Sequence, residues 1–151
     1  MITGIIIIVA IIILDQITKY LTVTQIGDRT IVIIDGFFNL IERHNYGAGW
    51  SMFEGNWLFL VAVTIISLVF FGYLYKSVSF KEKWVYSTAI SLMIGGTLGN
   101  FIDRLRLGYV VDFLQFIFGS YEFPTFNIAD SALTVGVILF AIDVFFLEQK
   151  R

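Results

Sequence analysis

Cysteine is absent from this 151-residue chain, and histidine and proline occur once each. The first absence excludes disulfides and thiolate chemistry. A lone histidine, His44, cannot furnish a multi-histidine metal site, so no metal and no cofactor are expected. Charge is scarce as well: Asp, Glu, Lys and Arg make up 15% of the residues, against 58% hydrophobic. That balance is too apolar for a water-soluble domain, and the bilayer is the natural solvent. No repeat, low-complexity tract or Pro/Gly linker divides the chain, so a single membrane-embedded domain over residues 1–151 is expected.

Hydrocarbon about 30 Å thick demands roughly 20 apolar residues per helix. Four stretches qualify: residues 1–22, interrupted late by Asp15, Gln16 and Lys19; 57–75, with no charge at all; 84–102; and 131–147, with Asp143 near its far end. The first is short and aliphatic like a secretory signal, but it lacks a basic start and a small-residue cleavage site, so it is expected to stay attached. The fold class predicted is an α-helical integral membrane protein with four transmembrane helices and a small extracytoplasmic β element over residues 28–45. The β element is read from TIVIIDGFFNLIE (30–42), β-branched and aromatic on either side of the turn dipeptide Asp35-Gly36. A plain connector is the alternative there.

Orientation follows from where the few charges lie. The connection from Lys76 to Lys83 holds three lysines and one acid, and the tail ends in Lys150 and Arg151. With four spans both fall on one side, which the positive-inside bias makes cytoplasmic. Arg29, Arg43, Arg104 and Arg106 fall on the other side, outnumbered by nearby acids. Both termini are then cytoplasmic. The unusual polar residues collect at the outer leaflet: Asp15 to Lys19, the loop HNYGAGWSMFEGN (44–56), and the stretch from Asn100 to Asp130. Ionisable groups near hydrocarbon are costly, so convergence of several reads as functional.

Each of these residues also has a bland reading. Gly95 and Gly99 form a small-xxx-small pair, which serves close helix packing. Asn100, Asp103 and Arg104 share one helix face, and Asp103 with Arg104 could simply neutralise each other. In FNIAD (126–130) Asn127 suits a helix N-cap with Asp130 at the third helical position. Asp112, in GYVVDFLQFIF (108–118), is harder to dismiss, because no basic residue adjoins it. A lone carboxylate there is desolvated and holds its proton more tightly. If Asp112 and Asp130 meet, they share a proton across neutral pH and supply a base and an acid together. Such a pair can hydrolyse a peptide bond with water alone.

Four separated stretches then carry a family likeness: DQITK (15–19), HNYGAGWSMF (44–53), GGTLGNFIDRLRLGYVVDF (95–113) and FNIAD (126–130). In this order, over essentially the whole chain, they resemble bacterial lipoprotein signal peptidase, or signal peptidase II. The resemblance implies a membrane aspartic endopeptidase that removes the signal peptide from diacylglyceryl-modified prolipoproteins, cutting on the amino side of the lipidated cysteine. It implies Asp112 and Asp130 as the catalytic pair. Site-supporting or substrate-binding roles fall to Asp15 and Lys19 of DQITK, Asn45 and Gly47 of the HNYGA stretch, Asn100, Asp103 and Arg104 of GNFIDR, and Asn127. Asp103 is expected to orient Arg104 or the surrounding backbone. Gly49 departs from the more usual Ala-Ala of that loop. The partners implied are lipid-modified prolipoproteins and membrane phospholipids, with no nucleic acid, and the protein is expected to act as a monomer in the bacterial cytoplasmic (inner) membrane with its site at the outer leaflet.

Three rivals remain at this point. Ser51 and Lys19 could form a nucleophile and base, although Lys19 suits a side chain snorkelling to the head groups. A small ion-conducting protein would need polar residues through mid-bilayer, which the second span lacks. A structural adaptor would use its acids only as helix caps.

Overall fold

The computed structural model describes residues 1–48 and 52–148. Gly49, Ser51, Lys150 and Arg151, which figure in the expectations above, lie outside the described residues. Helix α1, Ile2–Leu21, runs on through a π-helical turn, Thr22–Ile26. Strands β1 (Ile31–Ile34) and β2 (Phe38–Asn45) follow, then helices α2 (Trp57–Tyr75) and α3 (Trp84–Leu107). Strands β3 (Val110–Phe118) and β4 (Tyr121–Glu122) precede α4, Ile128–Ile142, which ends in a second π-helical turn, Asp143–Leu147. All four helices are long and apolar enough to cross a membrane.

Helix α3 is the axis of the bundle and packs against the other three spans. Its glycines explain how. A Cβ on Gly95 would press on Ile8 and Ile11 of α1, one on Gly96 would run into the Ala129 carbonyl of α4, and one on Gly99 would lie 2.7 Å from the Asp15 carboxylate. Small residues on two faces therefore let α1 and α4 approach from different sides. Helix α2 is the least buried span, as expected of an uncharged helix with lipid around most of its circumference.

The four strands form one antiparallel sheet in chain order, β1-β2-β3-β4. Asp35 and Gly36 turn β1 into β2, as their sequence predicts. Strand β3 was not legible as a strand. It is launched from α3 by Gly108, which holds the left-handed conformation (φ +81°) that glycine adopts without strain, and it pairs Asn45 with Val110 and Arg43 with Asp112. The main chain of Phe126 then bonds both ways with Leu114, stitching the start of α4 to the sheet.

Polarity of the bundle is fixed by contacts at its other end. The Tyr75 hydroxyl donates to the Met1 carbonyl, and Tyr86 donates to the Leu74 carbonyl while its ring meets Phe140. The chain's start, the α2–α3 connection and the far part of α4 thus share one end. The sheet and the acid-rich segments share the opposite end.

Candidate active site

Asp112 is the third residue of β3 and is buried, 1% exposed. Two amides hold it: Asn45 Nδ2 donates to Oδ2 at 3.0 Å and Asn127 Nδ2 to Oδ1 at 2.7 Å. Burial is the main reason its pKa is pushed up from 3.8 to about 7, and the neighbouring Asp130 charge adds to it. The two amide bonds and the Lys19 cation pull the other way.

Asp130 arrives from a different element. Asn127 caps α4 in a reciprocal box, its Oδ1 accepting from the Asp130 amide at 2.9 Å while Asp130 Oδ2 accepts from the Asn127 amide at 3.2 Å. The other carboxylate oxygen accepts from Asn100 Nδ2 at 2.6 Å. Asn127 is fully buried and bonds to both acids, through its backbone to Asp130 and its side chain to Asp112. One capping residue therefore fixes the two carboxylates relative to each other.

Beneath them lies a buried ionic cluster. Lys19 Nζ sits 2.9 Å from Asp15 Oδ2, 2.9 Å from Asp103 Oδ2 and 2.9 Å from Asn100 Oδ1. Asp15 also accepts from the Ala129 amide at 2.9 Å, across from α1 to the first turn of α4. Asp103 accepts from the Val111 amide at 3.1 Å and from Gln16 Nε2 at 2.9 Å. Each carboxylate of this cluster thus anchors backbone beside one acid of the pair: Asp15 next to Asp130, Asp103 next to Asp112.

A cleft of about 480 Å³ opens beside this arrangement, with Asn45, Asn100, Arg104 and Asp130 among its polar lining and Phe123, Phe126 and Val135 among its apolar lining. Asp130 meets the cleft directly, while Asp112 lies behind Asn45 and Val110. Arg104 Nη2 donates to the Gly47 carbonyl at 3.0 Å, and Asn45 Oδ1 accepts from the Gly47 amide at 2.9 Å. The loop rim is pinned from both sides. The backbone of Arg104 is itself held by Trp57 Nε1 at 2.9 Å.

A family model described as signal peptidase (SPase) II matches residues 7–146. The chain belongs to the signal peptidase II family. The lipoprotein signal peptidase of Lactiplantibacillus plantarum is 48% identical over 140 residues, 92% of this chain and 91% of that protein. That of Bacillus pumilus is 43% identical over 140 residues, 91% and 88% of the two chains. Two solved structures of a bacterial membrane enzyme, obtained by the in meso method at 2.3 and 1.9 Å, superpose with TM-scores of 0.84 and 0.83 at 42% identity. They cover 98% and 96% of this chain, and the matched parts are 89% and 94% of theirs. This signal peptidase II is accordingly a multi-pass membrane peptidase, with the four-helix fold and small sheet described above.

All ten residues singled out in the sequence gather at one end of this signal peptidase fold: Asp112 and Asp130 with Asn127, Asn100 and Asn45 in direct contact, Asp15, Lys19 and Asp103 below, Arg104 and Gly47 at the rim. Two expectations need correction. Lys19 does not snorkel; it is 3% exposed because two carboxylates and an amide oxygen fill its three donor positions. Asp103 takes Lys19, not Arg104, as its salt-bridge partner, and it holds the surrounding backbone at Val111. Ser51, the other member of the Ser51–Lys19 alternative, lies outside the described residues. Sequence reasoning missed Gln16, which bridges Asp103 and the Gly99 carbonyl, and Trp57, which holds Arg104. Gln16 stood inside DQITK; Trp57 carried no signal beyond its place at a span's start.

Proposed function

We propose that this membrane peptidase removes the signal peptide from diacylglyceryl-modified prolipoproteins, cutting on the amino side of the lipidated cysteine with water activated between Asp112 and Asp130. The observation that carries the reading is one residue, Asn127, bonded through its backbone to Asp130, which lines an open cleft, and through its side-chain amide to Asp112 just behind it. Two such acids so joined do not both ionise comfortably, and the pair holds one proton near neutral pH.

The ionised member takes a proton from water as the oxygen bonds to the scissile carbonyl carbon. The carbonyl electron pair moves to oxygen, which receives a hydrogen bond from the protonated member. Collapse re-forms the carbonyl, breaks the C–N bond and sends a proton to the leaving nitrogen. One water is consumed. The signal peptide gains a carboxyl group, the lipidated cysteine gains a free amine, and the pair is left with its single proton. Arg104, with its guanidinium on the Gly47 carbonyl, holds Gly47 beside Ala48 of the cleft wall. The substrate's lipid anchors the bond at one depth, which reduces the search to a plane.

The sheet end faces outward in this reading, so the site lies at the outer leaflet and both termini in the cytoplasm. The enzyme acts as a monomer and as one domain. Purified protein incubated with a diacylglyceryl-modified precursor and its unmodified twin, read by mass spectrometry, tests reaction, position and lipid dependence together. Cleavage of the lipidated form alone, before the cysteine, is expected. Asp112→Asn and Asp130→Asn should each insert normally and lose turnover, and retained turnover in either variant would argue against the pair.

A further inference from the structure

We infer that Lys19 sets the working orientation of the Asn100 side-chain amide, and through it presents a hydrogen-bond donor to Asp130; Lys19 is a positioning residue for the reaction. The inference rests on the reading of Asp112 and Asp130 as the reacting pair.

An ammonium has three donors and no acceptor. Those of Lys19 are filled by Asp15 Oδ2, Asp103 Oδ2 and Asn100 Oδ1, all at 2.9 Å. Only an oxygen can occupy the third position, so Lys19 dictates which end of the Asn100 amide faces it. The nitrogen is thereby turned to Asp130, at 2.6 Å. Asn100 Oδ1 also accepts from Asn127 Nδ2 at 3.1 Å, and that same nitrogen donates to Asp112. A flipped Asn100 would set its amino group against two donors, Lys19 and Asn127. It would also set its oxygen against an Asp130 oxygen, a pairing that only a protonated carboxyl satisfies.

Lys19 thus selects the amide orientation that favours an ionised Asp130. It does so without touching the cleft, which it does not line. Charged groups meet this point from α1, α3, β3 and α4. Asp15 comes from α1, Asp103 and Arg104 from α3, Asp112 from β3 and Asp130 from α4. Strand β2 supplies neutral Asn45 and, opposite Asp112 in register, an exposed Arg43. Loss of Lys19 acts twice in one direction: a cation disappears, and Asn100, then held only by the Asn127 donor, turns more readily to offer an acceptor. Both favour the protonated pair, so the base form is reached only at higher pH.

The test compares Lys19→Met, Lys19→Gln and Lys19→Arg on the lipidated precursor as a function of pH, with folding checked by thermal melting. Lys19→Met should lower kcat by roughly ten- to a hundredfold, leave KM within about twofold, and move the acid limb of the kcat/KM profile up by about one pH unit. Arg should restore most of kcat. Gln, uncharged but still a donor to Asn100 Oδ1, should fall between Arg and Met. A lysine that served only as counter-ion to Asp15 and Asp103 would make Gln and Met equal, and that result, or an unmoved acid limb, overturns the inference. If Lys19→Met does not fold, the same comparison is made in Asp103→Asn, where one buried carboxylate leaves with the cation. Asp112→Asn and Asp130→Asn run alongside: dead dyad variants with Gln equal to Met sink only the role of Lys19, whereas active dyad variants sink the reading beneath it.

Discussion

At the scale of the residue, the decisive quantity is how tightly Asp112 holds its proton. Its pKa is raised from 3.8 to about 7, chiefly by burial. Between those values the folded state binds a proton that the unfolded state has released, so the slope of unfolding free energy with pH is negative. Stability contributed by this group is present below pH 3.8 and is lost as pH rises toward about 7. An amide cannot ionise, so Asp112→Asn should melt with a flatter pH dependence than the parent. Its melting temperature relative to the parent should be higher at pH 8 than at pH 4, and thermal melts in detergent at both values check this. An equal offset at both pH values would contradict the raised pKa. The acid itself was legible in GYVVDF because no partner adjoined it. The burial of Lys19 was not, since a lysine late in an apolar helix normally reaches head groups. Only the approach of Asp103 and Asn100, more than eighty residues away in sequence, draws it inward.

Elements place these residues, and glycine decides how closely. Gly99 gives Asp15 room to reach the Ala129 amide; a methyl group there would lie 2.7 Å from Asp15 Oδ2 and 3.1 Å from Ala129 Cβ. Gly99→Ala should therefore cost about 1–3 kcal/mol by overpacking and lower turnover by shifting the start of α4. Gly72, in α2, has nothing within 4 Å of such a methyl group. Gly72→Ala should leave turnover unchanged and be neutral or slightly stabilising, because alanine favours helix. Parallel melts and cleavage assays of the two variants separate packing from propensity, and equal effects would contradict the geometry. The four spans were readable because the bilayer sets their length and little else. The cap in FNIAD was readable because capping is local, spanning Asn127 to Asp130. Strand β3 was not readable: VVDFLQFIF lacks clean polar and apolar alternation, and its partner β2 lies about seventy residues upstream. Such a pairing leaves no local trace.

For the whole molecule the open variable is which end faces the cytoplasm. The sheet end carries more arginines than the other end carries lysines among the connections, yet several of them are engaged. Arg104 holds the Gly47 carbonyl, Arg29 donates to the carbonyls of Ile26 and Gln25, and Arg106 reaches Gln16 at 3.5 Å. Acids also lie among them in sequence. The opposite connection has Lys76, Lys81 and Lys83 against Glu82 alone, and an excess of lysines beside a span is what retains a segment on the cytoplasmic side. Absence of cysteine makes this directly measurable, since any introduced thiol is the sole target in the chain. Asp35→Cys, in the turn between β1 and β2, should react with a membrane-impermeant maleimide on intact spheroplasts. Lys81→Cys should react only after the membrane is opened. Labelling of Lys81→Cys in sealed cells, with Asp35→Cys protected, would place the carboxylate pair on the cytoplasmic face and overturn the proposed outer-leaflet site.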